Sequence, residues 1–186
     1  KYSNPTGETY SAQTVERLAA MRAAPDFRIF WDNAYGVHHL TDARPALANL
    51  LEACARAGHP DRAFVFASTS KITFGGGGLG MLGTSKANLD WYLTHMSRRT
   101  IGPDKLNQLR HVRFFGDQAG LARHMEAQRR LLAPKFAAVE AQFAALLRGT
   151  GTATWNRPDG GYFVNLDVRD GCATRVVALA KALGIA

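Results

Sequence analysis

The sequence is poor in cysteine, in acidic residues and in long apolar runs. Its two cysteines, Cys54 and Cys172, lie far apart and follow no metal-site or redox spacing, as expected of two unpaired thiols in a cytoplasmic protein. No apolar stretch reaches bilayer-spanning length and the opening residues carry no signal-peptide pattern, so no membrane partner is expected. Asp and Glu number 15 against 23 Lys and Arg, a formal charge of +8. Such an excess suits nucleic acid when it is gathered into a stripe. Here it is scattered, with only short groups such as "MSRRT" and "AQRRLL", so no nucleic-acid partner is expected. Internal repeats and low-complexity tracts are absent.

What is present can build a core. The 186 residues are 46% hydrophobic and 20% charged, which is globular composition. The chain opens on Lys1 rather than Met and runs at once into the turn "YSNPTG". It stops at "ALGIA", just after a helical pattern. A piece, or a processed form, of a longer protein is the expectation.

Periodicity orders the elements. "AQTVERLAAMRAA" reads as a helix ending before Pro25. "FRIFWD" reads as a buried strand that delivers Asp32 at its carboxyl end. "RPALANLLEACARAG" reads as a helix with Pro45 in its first turn and Gly58 at its close. "RAFVFAS" is a second buried strand leading into Ser68–Lys71, and "GLGMLGTS" a third, followed by a helix through "KANLDWYLTHMSRR". This alternation predicts an α/β layer with a mainly parallel sheet, whose ligands bind beyond the carboxyl ends of the strands. Asp32 and Lys71 both fall there. From about Gly120 the character changes. "LARHMEAQRRLLAPKFAAVEAQFAALLRG" is a long helical pattern with Pro134 inside it, where a kink or break is expected. "TATWNRPDGGYFVNLDV" reads as two strands around an Asp-Gly-Gly turn, and "CATRVVALAKALG" as a closing helix. The expected division is residues 1–119, the α/β layer, and residues 120–186, the start of a smaller α+β unit.

The chemistry gathers around "WDNAYGVHH" and "FASTSKITFGGGGLG". Taken singly, Asp32 reads as a cap or turn residue and Tyr35 as core. With Lys71 added, after one helix and one strand, they make a set. A buried carboxylate holds a proton on a heteroaromatic nitrogen, a phenol hydrogen-bonds a ring oxygen, and a lysine amine forms a Schiff base with an aldehyde. That set describes a pyridoxal 5'-phosphate site. A nucleotide phosphate loop is the rival for Gly75–Gly78, but these glycines follow the lysine instead of preceding it.

The motifs "SNPTG", "DNAYGVHHL", "ASTSKITF", "RTIGPDKLNQLRHVRFF" and "PDGGYFVNLDV", in this order along the whole chain, resemble the fold-type I, class I/II aminotransferases. The likeness is to their aspartate aminotransferase subgroup. The resemblance implies a pyridoxal-phosphate large domain followed by the start of the small domain. It implies amino-acid and 2-oxo-acid substrates, aspartate and 2-oxoglutarate or similar, and a homodimer. It also implies roles. Asn4 and Tyr35 would contact the ring oxygen, Asp32 would pair with the ring nitrogen, and Ser68 and Ser70 would bind the phosphate. Lys71 would carry the Schiff base and then move the proton. One departure is visible: many aminotransferases place a phosphate-binding arginine where Leu79 stands here. The "GGYF" segment would lie by the substrate. His38 and His39 are adjacent, so on a strand they would face opposite ways; packing behind Tyr35 is expected, not a metal. Two other readings stay open: the cofactor-binding effector domain of a transcription regulator built on the same fold, and a catalytically silent fragment.

Overall fold

A computed structural model describes residues 1–185 of the chain. Helix α1, Ala12–Ala20, starts where the Ser11 hydroxyl accepts the Thr14 N–H at 3.1 Å. Val15 and Ala19, one turn apart, form its buried face. Strand β1 is Ile29–Asp32. Helix α2, Leu50–Arg56, is shorter than its apolar pattern implies. The Asn49 side chain accepts the Leu51 and Glu52 N–H groups at 3.1 and 3.4 Å, so the helix begins after Asn49 and not at Pro45. Leu50, Ala53 and Cys54 line its inner face.

Strand β2, Ala63–Ser68, and strand β3, Gly80–Gly83, complete a sheet of order β1-β2-β3. β1 and β2 run parallel, with Ile29 opposite Ala63 and Asp32 opposite Phe66. β3 is antiparallel to β2, with Ser68 opposite Gly80. The expected mainly parallel sheet is therefore a mixed one. The physical reason is the connection: a parallel return needs a crossover, usually helical, whereas residues 69–79 form only turns and a glycine loop. Val15, Ala19, Trp31, Leu50, Ala53, Cys54 and Ala63 make one buried cluster where α1 and α2 pack beside the sheet. Arg62 is buried next to it and donates to the Ala19 and Met21 carbonyls at 2.6 and 2.8 Å, which satisfies the end of α1.

Helix α3, Lys86–Arg99, is capped by Ser85, and helix α4, Lys105–Phe115, by Asp104. Helix α5, Gln118–Leu147, runs through Pro134 without a break. The proline removes one backbone bond, and the good helix formers on either side keep the helix in one piece. Strand β4, Ala153–Trp155, pairs antiparallel with strand β5, Leu166–Val168, and helix α6 spans Ala173–Ala182. The Asp159-Gly160-Gly161 segment does more than turn the chain between these strands. It reaches back and pairs with the segment after β1, where Leu40 N–H donates to Asp159 O and Gly161 N–H to His38 O, each at 2.8 Å. Among the described residues no helix is long and apolar enough to cross a membrane.

Candidate active site

Because β1 and β2 are parallel and in register, their carboxyl ends lie side by side. The Asn33 N–H donates to the Phe66 carbonyl at 2.8 Å and carries the pairing one step past β1. Asp32 therefore emerges beside the segment that leads to Ser68, Ser70 and Lys71. Its Oδ1 accepts the Ala34 N–H at 2.9 Å, which orients the carboxylate and starts the turn into Tyr35. Asp32, Tyr35 and Asn4 line one cleft of about 320 Å³, together with Ser3, Tyr10 and Trp31. Lys71 does not line that cleft; its Nζ lies 5.6 Å from the centre of the Tyr35 ring. Lys71 is exposed and makes no ion pair among the described residues. Ser68 and Ser70 stand apart from the cleft as well, where the Ser68 hydroxyl accepts the Ser70 N–H at 3.0 Å and donates to its hydroxyl at 2.9 Å. Four of the six expected residues thus meet around Tyr35, and the serines form a neighbouring pair at the end of β2.

Tyr35 is buried and braced by aromatic edges. Its ring centre is 5.6 Å from that of His38, 5.7 Å from Tyr162 and 5.8 Å from Phe163, all edge-to-face. His38 and Tyr162 also grip the lysine backbone. The Tyr162 hydroxyl donates to the Lys71 carbonyl at 3.1 Å, and His38 Nε2 lies 3.3 Å from the same oxygen. Burial pushes the Tyr162 phenol up, which keeps it a donor, and burial pulls the His38 imidazole down. The next carbonyl, Ile72, receives Gln128 Nε2 at 2.9 Å and lies 2.7 Å from His124 Nε2, both on α5. The lysine is therefore set on a backbone held from two sides.

The glycine loop is held with equal economy. Thr69 N–H donates to the Leu79 carbonyl at 3.0 Å, and Leu79 N–H donates to the Thr69 hydroxyl at 2.7 Å. His111 Nδ1 faces the Asn107 carbonyl at 2.8 Å, so Nδ1 carries the proton and Nε2 accepts the Thr69 hydroxyl at 2.8 Å. Asn107 Nδ2 donates to the Gly77 carbonyl at 2.9 Å. A Cβ on Gly78 would sit 2.2 Å from Ser70 Oγ and 2.6 Å from Ser70 N, so glycine is required where the loop crosses the serine pair. The Leu79 N–H is consumed in this ladder, which removes one backbone group from those able to replace the missing arginine.

His38 and His39 turn to different partners. His39 Nδ1 accepts the hydroxyl of the fully buried Tyr2 at 2.7 Å. Burial, then the nearby cationic Lys1 and Arg44, lower His39 to about 4, while burial raises Tyr2 to about 12. Among the described residues no group of His, Cys, Asp or Glu is placed to hold a metal. Sequence motifs assign no supporting role to α4, and so none to Asn107 and His111. The Asp104 cap directly after Pro103 was the available signal.

An open mixed sheet with helices packed beside it is an α/β fold, and the solved structures that share it are aminotransferases. An aspartate transaminase structure from Corynebacterium glutamicum superposes with a TM-score of 0.95 at 47% identity, over 100% of this chain and 44% of that one. The sequence model of the aspartate amino-transferase family matches residues 1–186, and the chain belongs to that family. A curated aspartate aminotransferase of Corynebacterium glutamicum is 48% identical over 186 residues, 100% of this chain and 43% of the relative. The chain thus spans less than half the length of the curated relatives it matches. A more distant structure, the alpha-aminoadipate aminotransferase LysN of Thermus thermophilus, complexed with N-(5'-phosphopyridoxyl)-L-leucine, shares the fold with a TM-score of 0.74 at 21% identity, over 94% of this chain and 43% of that one.

Proposed function

We propose that the protein is a pyridoxal-phosphate-dependent aminotransferase that moves the amino group of aspartate, or a similar amino acid, to 2-oxoglutarate. The observation that carries this reading is the unpaired Lys71 amine, 5.6 Å from the ring centre of Tyr35, which lines one cleft with Asp32 and Asn4. The donor set fits the cofactor: an anion, a phenol, an amine and a hydroxyl pair at or past the ends of β1 and β2, and an amide, Asn4, brought to the same cleft from the turn before α1. When bound, pyridoxal phosphate supplies an electrophilic aldehyde and an electron-withdrawing ring. In this reading Asp32 would pair with the ring nitrogen and favour its protonated form, because an adjacent anion favours the cationic form. Tyr35 and Asn4 would hold the ring oxygen, and Ser68 and Ser70 would hold phosphate oxygens. Lys71 would be the amine that holds the aldehyde and, when free, the base that would move a proton from the substrate α-carbon to the C4′ carbon of the cofactor. The same reading divides the chain into the end of a large domain, residues 1–119, and the start of a small one, residues 120–186. It also takes the intact protein to be a cytoplasmic homodimer. The family match favours it over a regulatory domain.

The test is chemical. Incubate the intact protein with pyridoxal phosphate, reduce with borohydride and map the modified peptide. Label on Lys71, lost in Lys71→Ala, is the expected result. Label on another lysine, with Lys71 unmodified, would refute the assignment.

A further inference from the structure

His38 is used by none of the steps above, yet it touches both groups on which they depend. Only 4% of it is exposed. Its Nε2 faces the Lys71 carbonyl at 3.3 Å, and a carbonyl accepts only, so Nε2 carries the proton. Its Nδ1 is buried and has no hydrogen-bond partner among the described residues, so no acceptor there competes for the proton on Nε2. Its ring edge meets Tyr35 at 5.6 Å and Tyr162 at 5.1 Å. Its own backbone is tied at both ends: the N–H donates to Tyr35 O at 3.0 Å, and the carbonyl accepts Gly161 N–H at 2.8 Å. His38 is thus a fixed post. On one side it bears the phenol, and on the other the backbone from which the amine projects.

We infer that His38 is a positioning residue, whose Nε2–H holds the Lys71 carbonyl while its ring braces Tyr35, so that amine and phenol keep their relative place. The inference rests on the proposed role of Lys71. A side chain that only fills space would be replaced by any ring of similar size. A positioning donor would not, because without it the Lys71 carbonyl keeps only the Tyr162 hydroxyl and the lysine backbone gains freedom. Loss of alignment at a reacting group lowers turnover far more than binding.

The experiment uses the intact protein loaded with pyridoxal phosphate and compares His38→Phe, which keeps a ring and removes the donor, with His38→Gln, which restores an N–H near the Nε2 position. The first readout is the pKa of the lysine–cofactor chromophore, titrated by its visible absorbance. The second is kcat and KM measured separately. The expected result is a shifted chromophore pKa and a kcat lowered roughly 10- to 100-fold with little change in KM in H38F. Partial return of both is expected in H38Q. Wild-type pKa and kcat in H38F, with borohydride label still on Lys71, would overturn the inference and leave the Lys71 assignment intact. Absence of that label in the wild type would instead refute the assignment on which it rests. If H38F fails to fold, Tyr162→Phe removes the other donor to the same carbonyl and leaves the ring. It must shift the chromophore pKa, and an unchanged value would also overturn the inference.

Discussion

Replacing Gly160 by alanine tests whether the Asp-Gly-Gly segment is a keystone of the site or a plain loop. A Cβ built there lies 2.3 Å from Tyr2 Cε2, 2.4 Å from Tyr2 Cζ and 2.4 Å from the His38 carbonyl oxygen. Two of these atoms belong to a ring that is 0% exposed and the third is backbone, so no flexible side-chain end is available to yield. Overpacking of this kind costs about 1–3 kcal/mol. Pushing the segment away also strains the bond from Gly161 N–H to His38 O, now 2.8 Å, worth ~1 kcal/mol. Together these give a destabilisation of roughly 2–4 kcal/mol, which lowers the apparent unfolding temperature of an intact protein more than twice this chain's length by roughly 2–5 °C. Gly102→Ala is the control, because a Cβ there meets nothing within 4 Å. The assay is thermal unfolding of both variants beside the parent, followed by near-ultraviolet circular dichroism to report on the buried tyrosine. A G160A protein that melts within about 1 °C of the parent, as G102A is expected to do, would show that the contact between the two segments carries no stability.

Asp32→Ala removes the anion proposed to face the ring nitrogen; turnover is expected to fall about 1000-fold, some 4 kcal/mol of barrier, while cofactor affinity falls much less. Steady-state rates and a cofactor titration on the same preparation check this, and near-parental turnover would mean that Asp32 only caps the turn at Ala34. His39 predicts a pH dependence of stability. Its folded value of about 4 lies below the ordinary histidine range near 6.5, so the unfolded chain takes up the proton first. The contribution is complete above about pH 6.5 and is lost as pH falls toward 4. Unfolding temperatures measured from pH 7 down to pH 4 are expected to fall less steeply in His39→Gln than in the parent, and equal slopes would disprove the reasoning.

Much of this molecule is legible in the chain itself, because local rules act over a few residues. Ser11, Asn49, Ser85 and Asp104 cap helices by hydrogen bonds to N–H groups two or three positions on. The apolar runs before Asp32 and Ser68 are strands, and because the two are adjacent and parallel their carboxyl ends lie side by side. Even the start of α2 was written in Asn49, although the apolar pattern upstream of it obscured the cap. The motif residues were equally plain, since their types declare their chemistry: a free amine, a carboxylate, a phenol and a hydroxyl pair.

Only the tertiary structure decided how these pieces meet. Alternation in β3 shows which residues share a face, but not the direction in which the strand runs; the turns of residues 69–79 made it antiparallel. Gly160 and Gly161 look like hairpin residues, and local reasoning assigns them to the nearest strands. They also close on His38, His39 and Tyr2, because the absence of a Cβ lets two distant backbones touch. The grip of His38 and Tyr162 on the Lys71 carbonyl follows from that closure. A backbone carbonyl has no side-chain signature, so no motif could announce which residues would come to hold it.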